Sequence, residues 1–265
     1  SKLRRAQDRV VAARPYAEAL REVIADLVTP ELAERFPLLR RPALPSKGGP
    51  SRAVIILITS NRGLAGGFNA NLIKEARRRI EALQAEGYTV ELVAVGKKGI
   101  GFFRYLGWSF RTERIDISDR PTAEHAASLV EELMADYASG QLGVVELVQS
   151  RFLSVLNTPP GTVRILPIEA PAQEAKGMRP DYILSPDPAT LLEQVLPLYV
   201  RNMMYRGLVE TVAAEQSARR TAMKNATDNA GELIDALKRT YNRQRQAQIT
   251  QEIAELVGGA AALQQ

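Results

Sequence analysis

Cysteine is absent from the 265 residues of this chain, and histidine occurs only once. Without cysteine there can be no disulfide framework, no thiol nucleophile and no thiolate metal site. The single histidine, His125, lies in an amphipathic helical pattern at 122–138, where a helix-surface residue is expected rather than a ligand. Most metal sites and catalytic triads are therefore excluded, and we do not expect the chain to be catalytic.

Long apolar runs are also missing from the sequence. No stretch approaches the roughly 18 apolar residues that a membrane-spanning helix requires, and the first residues show no signal-peptide pattern. We therefore expect no direct membrane insertion. The protein is expected in the cytoplasm or on the inner face of a membrane.

Aromatic residues make up only 6% of the chain, whereas the net charge is +5 and the pI is near 9.5. A basic balance of this kind indicates an acidic partner. The basic clusters at 219–224 and 238–245 lie in one helical stretch, without the interleaved aromatic residues that bind single-stranded nucleic acid. An acidic groove of another protein is favoured over nucleic acid, although a basic coiled coil that binds duplex DNA is an alternative.

The first residues show the apolar spacing of a coiled coil. Positions with alternating spacings of three and four carry apolar or small side chains. They are Leu3, Ala6, Val10, Ala13, Ala17, Leu20, Ile24 and Leu27. Because this pattern is already in register at Ser1 and no capping signal precedes it, we expect further helical turns before it in the intact protein.

The middle of the chain alternates strands with helices. A Pro- and Gly-rich linker at 30–50 leads into strand-like runs. These runs lie at 54–60, 88–95, 143–154 and 163–168, with a shorter candidate near 109–116. Helical patterns at 69–86, 98–106 and 122–138 separate the first four, which predicts a Rossmann-like α/β domain with a largely parallel sheet. This domain, with the Pro-rich stretch that follows and the start of the next helix, is expected to span 51–207.

From residue 208 onward the chain has the pattern of one long helix. No proline occurs between Leu208 and Val257, and apolar residues again alternate at spacings of three and four. They are Met223, Ala226, Ala230, Leu233, Leu237, Ile249, Ile253 and Leu256. A period near 3.5 implies a partner helix. We expect residues 1–29 and 208–265 to form a long antiparallel two-helix coiled coil.

The loop after the first strand, at 59–67, contains three glycines and precedes a helix. Such a loop could cradle a phosphate. Its G-x-x-G-G spacing, however, fits neither a Walker loop nor a dinucleotide fingerprint. A nucleotide-binding protein with a coiled-coil dimerisation arm is therefore the alternative function, and this loop is its only support.

Three segments of the chain resemble the gamma subunit of F-type ATP synthase. They are 59-TSNRGLAGGFNANL-72, 219-RRTAMKNATDNAGELIDAL-237 and 241-YNRQRQAQITQEIAELVGGAAAL-263. The resemblance implies a central rotor shaft that couples proton-driven rotation of a ring of c subunits to catalysis at the beta subunits. The implied partners are the hexamer of alpha and beta subunits, the epsilon subunit and the c-ring, and no cofactor is implied. The implied location is the cytoplasmic face of a bacterial plasma membrane, as a peripheral protein.

The resemblance also implies residues that contact partners. Arg62 and Ala65 match the loop that faces an acidic segment of a beta subunit, and Tyr182 matches the foot near the c-ring. The remaining positions match contacts to loops of the beta and alpha subunits: Arg245, Gln246, Thr250 and Glu252. In this sequence Asn61 and Ala65 replace the usual Asp and Cys of the loop.

Overall fold

The structure is a computed structural model that describes residues 2–169 and 187–262. The chain forms two compact units, Ser1–Arg220 and Thr221–Gln265. The first unit contains the sheet and all helices but part of the last one. The second consists, where it is described, of the remainder of that last helix.

A five-stranded sheet of order β3-β2-β1-β4-β5 forms the centre of the first unit. Its strands are β1 Arg52–Ile58, β2 Thr89–Val95, β3 Thr112–Arg114, β4 Leu142–Ser150 and β5 Pro160–Leu166. β1 pairs in parallel with β2 and β4, β2 pairs in parallel with β3, and β5 is antiparallel to β4. The predicted Rossmann-like, largely parallel sheet is confirmed.

Helices cover both faces of this sheet. They are α1 Lys2–Leu27, α2 Pro30–Arg35, α3 Phe68–Ala85, α4 Lys97–Tyr105, α5 Ala123–Ala138 and α6 Pro188–Ala262. One core joins one sheet face to α5, the end of α1 and the start of α6, whereas α3 and α4 pack on the opposite face. Strand residues such as Ile55 and Ile56 point to opposite faces and are both fully buried, because successive side chains alternate along a strand.

The apolar seam of α1 is buried as the spacing predicts. Every seam residue has less than a tenth of its surface exposed, apart from the half-buried Ala13. Ala6 and Val10 share a hydrophobic cluster with Val209 and Ala213 of α6. Ile24 and Leu27 instead belong to the cluster that contains the start of α6, so α1 and α6 run antiparallel. The predicted antiparallel helix pair is confirmed.

The part of α6 that pairs with α1 differs from the expectation. Every fourth residue from Leu192 to Leu208 is at most 2% exposed, and burial continues to Ser217. The expected seam at 223–256, by contrast, is exposed at every position. Periodicity specifies the face of a helix that is apolar but not the element that covers it, and this is why the sequence placed the pairing too far along the chain.

In the parts of the chain that the structure describes, no helix is both long enough and apolar enough to cross a membrane.

Candidate functional site

The glycine-containing loop lies at the point where the strand order of the sheet changes direction. The chain leaves β1 for β2 on one side and later crosses to β4 on the other side. In open α/β sheets, the crevice at the carboxyl ends of two such strands is the usual ligand site. Residues 59–67 follow β1 directly, so this loop forms one wall of that crevice.

Two asparagines fasten the loop to its surroundings. The Asn69 side chain, in the first turn of α3, accepts a hydrogen bond from the Ser60 amide at 3.0 Å and also bonds the Ser60 hydroxyl. The Asn61 amide group donates to the carbonyl of Ile115 at 2.9 Å, while its oxygen accepts from the Lys97 amide at 3.0 Å. The loop is therefore bonded to α3, to α4 and to the segment after β3.

The tip of the loop presents Leu64 to solvent. Leu64 has a positive φ of 60°, and 75% of its surface is exposed. A positive φ is uncommon outside glycine, and a bulky residue adopts it only where the surroundings impose it. Ala65, a predicted contact residue, is 3% exposed and packs into the core beside Phe68. At the tip, the accessible apolar side chain is thus that of Leu64.

Asp119 connects the loop to both long helices of the first unit. Its carboxylate accepts hydrogen bonds from Lys2 Nζ at 2.7 Å, from Arg62 Nη2 at 3.2 Å and from Gln216 Nε2 at 3.3 Å. Its backbone carbonyl accepts from Arg9 Nη1 at 2.8 Å. Burial works to raise the pKa of Asp119, but the bond from Lys2 and the nearby positive charges outweigh burial and hold that pKa below its usual value.

Helix α6 packs on β4 and borders the crevice between β1 and β4. A Cβ atom added to Gly207 would collide with Gln149 Oε1 and with Leu147 Cδ2, which lies 2.5 Å from that position, so glycine allows α6 to lie directly on β4. The Thr211 hydroxyl then accepts a hydrogen bond from the Ser150 amide, at 3.2 Å, where β4 ends. α6 therefore packs directly on β4 up to the carboxyl end of that strand.

A cavity of about 280 Å³ remains between the loop, Asp119 and α6. Ligand pockets are commonly roughly 300–1,000 Å³, so this space lies just below the usual range. The carboxylates of Asp119 and Glu215 line it together with Arg62, and both carboxylates are bonded to basic side chains of this chain. Burial raises the pKa of Glu215, and the opposing bond from Arg219, at 2.6 Å, keeps the carboxyl paired. This geometry does not favour the nucleotide-binding alternative.

Positive charge nevertheless dominates around the loop. Arg219 donates to the Gly63 carbonyl at 3.3 Å, and Lys98 Nζ lies 3.9 Å from where a Cβ of Gly63 would be. With Lys2, Arg9 and Arg62 these residues make five cations, against the two carboxylates of Asp119 and Glu215. An acidic partner fits this surface.

A second candidate site lies in the second unit. The predicted contact residues Arg245, Gln246, Thr250 and Glu252 are all exposed. Among the described residues, neither Arg245 nor Glu252 has an ion-pair partner. The Thr250 hydroxyl donates to the Gln246 carbonyl at 2.8 Å, so its lone pairs are left for an outside donor.

These four residues flank an apolar stripe. At 3.6 residues per turn, Arg245 and Glu252 lie about 20° apart on the helix, and Gln246 and Thr250 lie about 40° apart on another side. Between the two polar rows lies Ile249, which is 43% exposed. An apolar centre with a polar row on each side is the arrangement of a protein-binding helix face.

Tyr182, predicted near the foot, lies outside the described residues, as does most of the surrounding segment 181–187. Its place in a site stays a prediction.

A family model described as ATP synthase matches residues 1–263. The ATP synthase gamma chain of Gemmatimonas aurantiaca is 57% identical over 265 residues, which cover 100% of this chain and 90% of that relative. The chain belongs to the ATP synthase gamma chain family. The gamma chain of Pelotomaculum thermopropionicum is 40% identical, again over 100% of this chain and 90% of the relative. As a family member, the chain is a subunit of an enzyme complex.

Solved structures show the same fold at lower identity. A central stalk chain of the Tetrahymena thermophila mitochondrial ATP synthase has a TM-score of 0.61 at 18% identity, covering 86% of this chain and 95% of that chain. A chain of the Euglena gracilis mitochondrial ATP synthase has a TM-score of 0.60, covering 98% and 94%. The family is thus established by sequence and the fold by structure.

Sequence reasoning missed three residues that the structure brings to the loop: Leu64, Lys98 and Asp119. Leu64 follows a glycine within the loop, but only the backbone conformation shows that its side chain points outward. Asp119 comes from a segment without periodicity, and its contacts reach residues more than fifty positions away. No local signal announces such contacts.

His125 has a structural role. Its Nδ1 accepts a hydrogen bond from the Thr122 amide at 3.2 Å, and the Thr122 hydroxyl accepts one from the His125 amide at 3.3 Å. This reciprocal pair is a capping box for α5. The histidine belongs to a helix start, which accounts for its position without a ligand.

Proposed function

We propose that this chain is the central rotor shaft of a proton-translocating F-type ATP synthase. In this role it couples rotation of a c-ring to ATP synthesis or hydrolysis at beta subunits, without a catalytic site of its own. Membership of the gamma chain family supports the role. The proposed partners are the hexamer of alpha and beta subunits, the epsilon subunit and the c-ring. The proposed location is peripheral, on the cytoplasmic face of a bacterial plasma membrane.

The observation that carries the proposal is the exposed apolar seam of the second unit. Large apolar side chains recur there at helical spacing, and all are more than 40% exposed. They are Met223, Leu233, Ile234, Leu237, Tyr241, Ile249, Ile253, Leu256 and Val257. Soluble monomers rarely expose a long apolar stripe with a polar border. A helix of this kind is stable when other chains surround it, as the cavity of a subunit ring would.

The polar rows on either side of this seam are the proposed partner contacts. Arg245 offers a planar set of donors to carboxylates or carbonyls of the ring, and Gln246, Thr250 and Glu252 add hydrogen bonds. A rotor surface biases one catalytic site over another only if it binds their conformations unequally. The two rows carry different side chains, which supports unequal binding of this kind.

At the glycine-containing loop, Arg62 and Leu64 are the proposed contacts to an acidic segment of a beta subunit. Arg62 supplies charge and Leu64 an accessible apolar side chain, while the buried Ala65 holds the loop against the core. Tyr182 is proposed to lie near the c-ring on the strength of the family resemblance alone.

The test uses the assembled complex with both Arg245 and Gln246 replaced by alanine. A charge-assisted hydrogen bond contributes about 1.5–3 kcal/mol, so losing even one from the rate-limiting step should slow ATP hydrolysis and ATP-driven proton pumping about tenfold or more. The chain offers a control on the face opposite Ile249, where Gln244 and Gln251 lie about 140° and 160° from it around the helix. Replacing these with alanine should have less than half that effect.

Circular dichroism of the isolated chain should be unchanged in both variants, since all four side chains are exposed. Unchanged turnover and pumping in the Arg245/Gln246 variant would reject these residues as contacts and leave the rotor role standing. Failure of the unmodified chain to assemble with alpha and beta subunits would reject the role itself.

A further inference from the structure

We propose that a groove between α3 and α4 binds an acidic, amphipathic helix from another subunit. The groove has a volume of about 910 Å³ and lies wholly within the first unit. Its lining includes Ile73, Lys74, Arg77, Lys98, Phe102 and Pro160. None of these residues belongs to the contacts that the family resemblance implies.

The floor of the groove is apolar and ordered. Ile73 and Phe102 are half-buried and pack against the core beneath α3. The Phe102 ring meets Phe103, a fully buried residue, edge to face with centroids 5.4 Å apart. The floor is therefore held in place before any partner binds. Covering these two side chains would stabilise a complex in proportion to the apolar area removed from water.

The rim of the groove is positively charged, and most of its cations have no ion-pair partner among the described residues. Lys74 and Lys98 are exposed, and neither has a carboxylate partner among the described residues. Arg77 reaches only Glu81, at 3.9 Å. Lysine and arginine side chains that carry no partner of their own select carboxylates on a binding partner.

The neighbouring acidic residue does not neutralise this rim. Glu75 is held by Arg78 at 2.7 Å and by the Thr162 hydroxyl at 2.6 Å. The bond from Arg78 lowers the pKa of Glu75, although burial opposes the shift. The Glu75 carboxylate is thus bonded within this chain, and the charged side chains of the groove without an ion-pair partner are positive.

An apolar floor with a cationic rim fits a helix that has one apolar face and carboxylates at its edges. Nucleic acid is disfavoured, since the aromatic ring that lines the groove, that of Phe102, is half-buried and offers little surface for base stacking. Lys98 also lies beside Gly63, so the groove continues into the positive surface of the glycine-containing loop. The inference rests on the proposed function in one respect: that function specifies the complex in which the partner subunit occurs.

The test is lysine acetylation of the assembled complex and of the isolated chain, read by mass spectrometry. Lys74 and Lys98 should react at least fivefold more slowly in the complex. Lys47, an exposed lysine outside the groove lining, in the segment that lies beside Gly87, should react equally in both. Protection of Lys238, which lies in the second unit, tests the proposed rotor role independently of the groove. Protection of Lys238 without protection of Lys74 and Lys98 would overturn the groove inference and leave the role intact.

A zero-length carbodiimide identifies the partner, because it joins a lysine only to a carboxylate in direct contact. Cross-links from Lys74 or Lys98 should lead to an acidic helical segment of one other subunit. A Lys98→Glu variant should abolish the protection of Lys74, whereas Lys97→Glu, which reverses the adjacent exposed charge outside the groove, should preserve it. Equal protection of Lys74 in the two variants, or cross-links only within this chain, would overturn the proposal.

Discussion

Two stretches of the same helix differ in what surrounds them. In the first unit, α6 buries a residue on every turn from Leu192 to Leu208 and bonds to the sheet through Thr211. In the second unit, the seam residues from Met223 to Leu256 also recur at helical spacings, alternating three and four, but are exposed. Helical spacing is therefore compatible with either environment. What separates the two stretches is that the described part of this chain covers only the first.

The largest expected difference between the stretches is in amide hydrogen exchange. Exchange from 192–213 in the isolated chain requires global opening of the first unit, because these residues belong to its core. Exchange from 240–257 requires only local fraying of an uncovered helix. We expect the second group to exchange about 10³-fold faster or more. Mass spectrometry of peptides from the two stretches measures this, and equal protection would erase the contrast.

The next largest difference is expected when one leucine of each stretch is replaced by alanine and the free energies of unfolding are compared. Leu208→Ala removes a side chain that is 1% exposed and should lower the free energy of unfolding of the isolated chain by about 3 kcal/mol. Leu237→Ala removes one that is 60% exposed and should change it by no more than about 0.5 kcal/mol. Urea denaturation monitored by the single tryptophan, Trp108, reports on the first unit. A similar loss in both variants would mean that 237 is covered within the chain.

Two glycines of α6, Gly207 and Gly231, should respond to substitution with opposite signs. Gly207→Ala forces a methyl group into Gln149 and Leu147 and should destabilise the first unit by about 1–2 kcal/mol. Gly231 has no atom within 4 Å of an added Cβ, so Gly231→Ala should raise helix stability by about 0.5–1 kcal/mol. Thermal melts by circular dichroism distinguish the outcomes. Stabilisation by Gly207→Ala would show that α6 does not lie closely against β4.

The smallest effect concerns Asp119, which ties α1 and α6 to the loop. Asp119→Asn should cost about 1 kcal/mol at pH 7, because the charge that Lys2 and Arg62 contact is lost. The folded-state pKa of Asp119 is lowered, so its stabilisation is fully present above the unfolded pKa of about 3.9 and is lost as pH falls through the folded value.

The difference in unfolding free energy between Asp119→Asn and the unmodified chain should accordingly be constant from pH 5 to 8 and vanish in strong acid. Asp8→Asn is the matched control on α1, since Asp8 is exposed and has no ion pair among the described residues. Its effect should stay within about 0.5 kcal/mol at every pH. A pH-independent cost for Asp119→Asn would show that its hydrogen-bond geometry matters and its charge does not.

Much of the fold follows from periodicity. The α1 seam from Leu3 to Leu27 was predicted residue by residue, and the predicted strand runs contain β1, β2, β4 and β5 in large part. These predictions succeed because burial on a regular element repeats with the period of that element. The extent of the antiparallel pairing does not follow in the same way, since 192–208 and 223–256 both carry apolar residues at helical spacings.

The candidate site was less predictable than the fold. The glycines of 59–67 predicted a loop. Whether Leu64 or Ala65 is buried, however, depends on the positive φ of Leu64 and on contacts from distant segments. Asp119 and the α3–α4 groove arise only when elements remote in sequence meet. Charge composition predicted an acidic partner, yet the location of the unpaired cations Lys74 and Lys98 required coordinates.

The bonding of the glycine-containing loop bears on its mechanical stiffness. Asn61, Asn69 and Asp119 attach the loop to α3, α4, α1 and α6, so it has little freedom to deform by itself. A compliant loop would absorb a push from a neighbouring subunit as elastic strain and dissipate it. A loop held at several points instead passes displacement on to the sheet and to α6, as a part that transmits force must.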